Sequence, residues 1–335
     1  MLWWTMPAEA QRRKQPAKKP VVEEPVEDPR IAQMLATMQQ ITFIDSMVVE
    51  GADFMAHIPL SPNVGKLTQA DGLGVFTNEM GDHRLSTLKT SDSTAVITAS
   101  DFIANRWTEA QPIGGIGSAS AVNPFLMPDG ITLYYAQKGE NALGGYDIFV
   151  TRYDSEKGVF LRPENIGMPF ASEANDLFFA IDEFNQLGYF VTDRRQPRGK
   201  VCIYIFVPEA TRRIYRTEAY SDGQLRSLAA ICRIADTWGK GGERAEAVER
   251  LQTARMTKEK ALTTGTKSPA QTEIDQLRHE ADVMGKTLAL MRNQYAAANE
   301  GERVTLRIKI LNAEQQLEAM QRDIRNKEKQ IPYKQ

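Results

Sequence analysis

Between residues 123 and 207, apolar and polar positions alternate with the two-residue period of half-buried strands. Residues 123–126 (NPFL) form a short apolar run. The dipeptide Asp129-Gly130 follows, a hairpin signal because both positions tolerate positive φ. The next run, 131–136 (ITLYYA), alternates and is aromatic. A turn through Gly139, Gly144 and Gly145 leads into 146–152 (YDIFVTR), which makes three antiparallel strands in about 30 residues.

The pattern then recurs. Residues 175–182 (NDLFFAID) match the first strand, 187–193 (LGYFVTD) the second and 201–207 (VCIYIFV) the third. The offset is about 52 before the turn and about 55 after it, because 182–185 (DEFN) makes a longer turn. A degenerate copy lies upstream, where 107–114 (WTEAQPIG) aligns with 160–167 (FLRPENIG) at an offset of about 53. Asp101 before Trp107 aligns with Asp154 before Phe160. Copy one runs over about 73–114, copy two to about 167 and copy three to about 215. Four short strands per unit at this period are the sequence form of propeller blades. Tyr134, Phe149, Phe160, Phe179, Tyr189, Tyr204 and Trp107 hold equivalent positions, so burial is expected for them. In the paired aromatics Tyr134/Tyr135 and Tyr189/Phe190, alternation puts one member outward.

The segments 127–136 (MPDGITLYYA), 144–149 (GGYDIF) and 190–194 (FVTDR) resemble the TolB-like β-propeller repeat family, relatives of WD-repeat propellers. They are similar in particular to uncharacterised envelope proteins of gram-negative bacteria. The resemblance covers residues 72–216. It implies a binding or scaffolding module and carries no catalytic residues across.

Helical and strand patterns flank the repeats. Asp28-Pro29 is an N-cap and first-turn pair. Ile31, Met34, Leu35 and Met38 follow at helical spacing, and 41–49 (ITFIDSMVV) is β-branched and predicts a strand. Pro59, Pro62 and Gly65 mark a loop. Beyond Arg216, Leu225, Leu228, Ala229 and Cys232 share one helical face over 224–238, although Ile231, Ile234 and Trp238 keep some strand character. Residues 239–242 (GKGG) break the pattern, 243–260 is a charged helix, and 263–269 is a second break. From residue 271 a heptad seam runs through Ile274, Leu277, Ala281, Met284, Leu288, Met291, Tyr295 and Ala298. It stops at 299–301 (NEG) and resumes one residue out of phase through Leu306, Ile310, Ala313, Leu317, Met320 and Ile324. A phase shift at a glycine predicts a helical hairpin rather than one rod.

Composition narrows the function. The chain has 335 residues, 42% apolar and 25% charged, in the ordinary range for a globular protein. A formal net charge of −2 argues against nucleic acid as a partner, which requires a basic stripe. No apolar run reaches the ~18 residues of a membrane helix. At the N-terminus, Ala8-Glu9-Ala10 fits the small-x-small pattern of a signal cleavage site, with the end of an apolar core before it. The two cysteines, Cys202 and Cys232, follow no metal spacing; they read as buried small hydrophobes, with a disulfide between them as the alternative in an exported protein.

Catalytic signals are missing. His57, His83 and His279 form no pair with ligand spacing, so no metal site is expected. Residues 114–118 (GGIGS) are glycine-rich but precede a strand, not the helix a phosphate cradle needs. Residues 265–268 (GTKS) lack the Gly-Lys order of a Walker motif, and no Gly-x-Ser-x-Gly elbow occurs. Asp101…Trp107 and Asp154…Phe160 resemble the Asp-box hairpin brace of sialidase-type propellers. Arg194, Arg195 and Arg198 sit in one loop and read as a solvated turn.

The resulting expectation is a mainly β protein with α: a partial or small TolB-like β-propeller of about three to four blades plus a C-terminal helical hairpin or coiled coil. Its segments are a signal remnant (1–10), a linker (11–29) whose basic block is followed by an acidic one, and an N-terminal helix and strand packing on the β-domain (30–71). The repeats (72–216), a helical connector (217–268) and the helical hairpin (269–330) follow. The function expected is non-enzymatic binding or scaffolding, periplasmic or outer-membrane-associated, with no catalytic, cofactor-binding or metal residues. Partners would be envelope proteins, peptidoglycan or another glycan, or a second copy through the helices. The alternative is a carbohydrate-active or glycan-binding propeller.

Overall fold

The computed structural model describes residues 28–70, 73–90, 94–209, 211–239, 242–263 and 269–330. The Ala8-Glu9-Ala10 motif, the linker up to residue 27 and the 265–268 stretch lie outside them. The described chain is mainly β, with three antiparallel sheets and five α-helices.

Helix α1 (Pro29–Ala36) precedes strand β1 (Thr42–Glu50). The Asp28 carboxylate accepts the Arg30 backbone N–H at 2.9 Å, and Pro29 takes the first turn, where a missing N–H costs nothing. The first sheet contains β2 (Gly65–Ala70), β3 (Leu73–Asn78), β4 (His83–Lys89) and β5 (Ala95–Ile103), extended by β6 (Arg106–Trp107) and β7 (Gln111–Pro112). The second holds β8 (Ser120–Leu126), β9 (Thr132–Lys138) and β10 (Tyr146–Asp154), with β11 (Val159–Phe160) and β12 (Glu164–Asn165). The third holds β13 (Asp176–Asp182), β14 (Leu187–Thr192) and β15 (Lys200–Val207). Its fourth strand is β1, which pairs with β15 from Thr42↔Val207 to Glu50↔Lys200.

The repeat is visible in the register. Pro112 pairs with Thr98 and Gln111 with Ala99; at an offset of 53 on β12 and 51 on β10, Asn165 pairs with Phe149 and Glu164 with Val150. The bulges match as well, between Val122 and Phe125 on β8 and between Asp176 and Phe178 on β13. Strand β8 packs on β3, β4 and β5, and β13 packs on β8, β9 and β10, so each sheet begins on the face of the one before. Inner-strand phenylalanines meet there. Phe76 on β3 lies 5.2 Å from Phe125 on β8, which lies 6.2 Å from Phe178 on β13. Phe54, in the short 3-10 turn Phe54–His57, continues the row 5.9 Å from Phe178.

Among the described residues, no further sheet covers the last one. Helix α2 (Asp222–Ala229), capped by a reciprocal Ser221–Gln224 box, leads on to α3 (Glu243–Thr263), which packs on β1 and β14. Ala247, Leu251 and Ala254 join Tyr189, Val191, Ile203 and Ile205 in one core cluster. Three basic side chains pin α3. Arg250 donates to the Asn185 carbonyl at 3.1 Å and Arg255 to the Asp45 carboxylate at 2.8 Å. Lys258 donates to the Ile58 carbonyl at 2.7 Å, and burial lowers the pKa of its ammonium. The opposite face of the sheet carries Phe190, Cys202, Tyr204 and Phe206, packed with Phe170 and Ile231.

Helices α4 (Pro269–Ala297) and α5 (Glu300–Gln330) pack on each other, and no strand shares an extensive contact with either among the described residues. The seam residues are inward where described. Leu288, Ala313 and Ile324 are buried, and Met284, Met291, Leu306, Ile310 and Met320 are half-buried.

Several expectations need correction. Both members of the Tyr189/Phe190 pair are fully buried, because α3 covers one face of that sheet and Phe170 the other. In the other pair Tyr135 is buried and Tyr134 half-buried; Phe160 and Trp107 are also half-buried. The Asp129-Gly130 hairpin forms, yet only Gly130 takes positive φ, at 68°. The Gly130 N–H reaches the Met127 carbonyl, and the Asp129 carboxylate accepts the backbone N–H groups of Ile131 and Thr132 at 2.8 Å each, as an Asx turn does. The helix expected over 224–238 ends at Ala229, since Ile231 takes φ 49°. That turn buries Ile231 and leaves Cys232 exposed, so only Cys202 behaves as a buried hydrophobe.

The core makes two expectations measurable. Phe125→Ala removes the ring between Phe76 and Phe178 and should destabilise the protein by about 3–5 kcal/mol in equilibrium denaturation. Asp147 is fully buried and accepts N–H groups from Leu143 (2.9 Å), Asn165 (2.8 Å) and Ser172 (3.2 Å). Burial, assisted by nearby Asp176, pushes its pKa up to about 6 from 3.8. The folded state therefore holds this proton more tightly than the unfolded chain, and the resulting stabilisation is lost as pH rises from about 4 through about 6. Relative to Asp147→Asn, whose amide does not titrate, the wild type should lose about 2 kcal/mol between about pH 4 and pH 7. Urea titrations of both proteins across that range check it.

Candidate functional site

The tip of the first sheet and the helical hairpin enclose an open groove of about 950 Å³. The β5–β6 connection makes the tip. Ala104 (φ 50°) and Asn105 (φ 63°) both take left-handed backbone, the signature of a two-residue type I′ hairpin turn. Phe102 and Trp107 face each other across it, 5.3 Å between centroids, and the Arg84 guanidinium stacks 4.0 Å over the indole. Those contacts stiffen the tip and leave Ile103 60% exposed at its end.

Met284 and Met291 on α4, with Ala313 and Met320 on α5, line the other wall. The three methionines are half-buried seam positions that the partner arm covers incompletely. Unbranched thioether side chains adapt to the shape of what they touch, so this wall suits an apolar surface more than one rigid ligand. Asp82, Asp101 and Glu280 sit at the rim, with Lys309 on α5. The Asp101 carboxylate lies 2.7 Å from His83 Nδ1, and Asp82 accepts the Asn78 amide at 2.7 Å. Lys286 pairs with Asp282 at 3.0 Å, which raises its pKa; Asp82 and Glu79 on the β body add a smaller attraction.

The residues weighed for chemistry go elsewhere. His57 is exposed at the end of a 3-10 turn, His83 opens β4, and the side chain of His279 lies outside the described residues. No cluster of three or more His, Cys, Asp or Glu with metal-binding geometry occurs among the described residues. In the glycine-rich 114–118 loop, a Cβ on Gly115 would sit 1.8 Å from the Phe160 carbonyl oxygen, so this glycine allows backbone to meet backbone. Asp154 accepts the N–H groups of Glu156 and Lys157, as a brace should, while the carboxylate of Asp101 is turned to His83 instead.

The arginine loop is not a solvated turn throughout. Arg198 is exposed, but Arg194 is buried and reaches Asp176 at 2.6 Å and the Pro169 and Ala229 carbonyls at 2.9 and 3.1 Å. Arg195 donates to the Ile231 carbonyl at 2.7 Å. Burial pushes the Asp176 pKa up and the Arg194 charge opposes it; the pair ties the third sheet to the end of α2.

No family model matches the chain, and no curated protein matches it either. The sequence named no ligand site, and the groove explains why. Its two walls are about 180 residues apart in the chain, and Ile103 carries no more sequence signal than any turn residue.

An apolar dye that fluoresces on leaving water should bind the full-length protein through this groove. The double variant Met284→Glu, Met291→Glu should weaken that binding about tenfold, because each carboxylate must be desolvated by the dye. Unchanged dye affinity in a variant that keeps its circular dichroism spectrum would place the dye elsewhere.

Proposed function

We propose that this chain is a non-enzymatic binding and scaffold protein, built as an open TolB-like β-propeller of three blades with a helical hairpin as its docking arm. The observation that carries this reading is the Met-lined groove of about 950 Å³, where the arm and a blade tip present apolar surface together. The repeated short-strand registers and stacked inner strands support the propeller reading. In it, β1 supplies the outer strand of the last blade, and α3 takes the place of the missing neighbour.

The partner in this reading is a protein of the cell envelope that offers an apolar segment, with peptidoglycan or another glycan as a further ligand class. The location is the periplasm or the outer-membrane surface, on the strength of Ala8-Glu9-Ala10. Among the described residues, no helix is long and apolar enough to cross a membrane. The carbohydrate-active alternative needs several free arginines on one surface, and Arg194 and Arg195 are held by Asp176 and backbone carbonyls.

The test is affinity capture from envelope extracts, using the wild type beside Met284→Glu, Met291→Glu. A stoichiometric protein retained by the wild type and lost from the variant supports the reading. Turnover of a sugar by the purified protein, or capture that ignores the groove variant, overturns it.

A further inference from the structure

Helix α5 carries two apolar seams, and the fold uses one. Leu306, Ile310, Ala313 and Leu317 turn toward α4. Val304, Ile308 and Leu311 lie on the opposite side, 63%, 58% and 49% exposed. Their spacing of four and then three residues is that of successive heptad core positions. Gln315 and Glu318 continue the same row and end its apolar part.

We propose that this outer face pairs α5 with α5 of a second copy, antiparallel, about a two-fold axis close to residues 309 and 310. The proposal rests on the reading of the hairpin as an association arm and specifies its face and partner. Antiparallel packing sets an a position against a d position. Ile308 then meets Leu311 of the other copy and Val304 meets Gln315, each twice by symmetry.

Charge decides the direction. Along one flank of the seam, Arg307 and Glu314 occupy successive g positions, and both copies present the same row. Antiparallel pairing brings g against g, so Arg307 faces Glu314 of the other copy, twice. On the other flank Thr305 faces Asn312, which is neutral. Parallel pairing brings g against e instead; Arg307 would face Asn312 and Glu314 would face Ala319, with no ion pair on either side. Arg307 is exposed, and Glu314, bonded to Arg292 at 2.7 Å, is half-buried with its carboxylate at the surface. The core is only two Ile–Leu layers deep, so the contact falls in the small, weak class of interfaces.

Sedimentation equilibrium of the full chain up to about 100 μM tests the pairing. The wild type should dimerise, and Ile308→Asp should be monomeric with an unchanged circular dichroism spectrum. Arg307→Glu alone and Glu314→Arg alone should each lose at least about tenfold in self-association. An equimolar mixture of the two should recover a 1:1 heterodimer. One of its two contacts sets the carboxylate introduced by Arg307→Glu against the guanidinium introduced by Glu314→Arg, and the other keeps the native Arg307–Glu314 pair. A monomeric wild type overturns the proposal. So does a dimer that Ile308→Asp leaves intact, or a mixture that does not associate. None of these results depends on the groove, whose variant Met284→Glu, Met291→Glu should dimerise like the wild type, so the two readings fail separately.

Discussion

Four phenylalanine rings run through the middle of the β body, and the arrangement of the three sheets depends on them. Phe76, Phe125 and Phe178 come from the inner strand of each sheet, and Phe54 from the turn that follows β1. Each ring pair is edge-on or tilted at 5.2–6.2 Å, the geometry in which aromatic quadrupoles attract. Sheets that share such a row cannot slide independently, since moving one strand by a residue would turn its ring to the other face. Asn123 adds a polar tie at the same level. Its carbonyl accepts the Gly74 N–H at 2.9 Å, and its amide donates to the Leu177 carbonyl at 2.8 Å, so one side chain on the second sheet bonds the first and the third.

The stack has two ends, and they are finished differently. The first sheet ends in the additional strand β2, beside the turn that holds Phe54. The third would expose a face of Tyr189, Val191, Ile203 and Ile205, and α3 covers it with small side chains and three pinned cations. A helix can replace a sheet here because Ala247 and Ala254 let its backbone approach closely. The polar anchors then fix its direction.

The repeat was legible in the sequence because period and alternation are local. The offset of about 53 residues located equivalent strands, and the heptad phase shift at Gly301 located the two long helices. What covers each strand was not legible. Tyr189 and Phe190 follow one another like an inward and an outward residue, and both are buried because α3 arrives from about 60 residues downstream. Arg194 looks like its neighbours Arg195 and Arg198 in sequence; only the position of Asp176 across the turn separates a core ion pair from a surface cation. The candidate groove is hidden for the same reason, since a hairpin tip and a methionine seam acquire meaning only when brought together.

Strand β1 pairs with β15 from Thr42 opposite Val207 onward, a separation of 165 residues (207 minus 42) within one sheet. That pairing sets the order of events in folding. Hairpins such as β8–β9 close over a few residues and can form early, whereas the last sheet must wait until nearly the whole β body has been synthesised. Until then β1 has no sheet to join, and its β-branched run is open to pairing with another chain. The early strand thus acts as a clasp on the finished stack of sheets, and a chain that lost it would be left with its most adhesive edge uncovered.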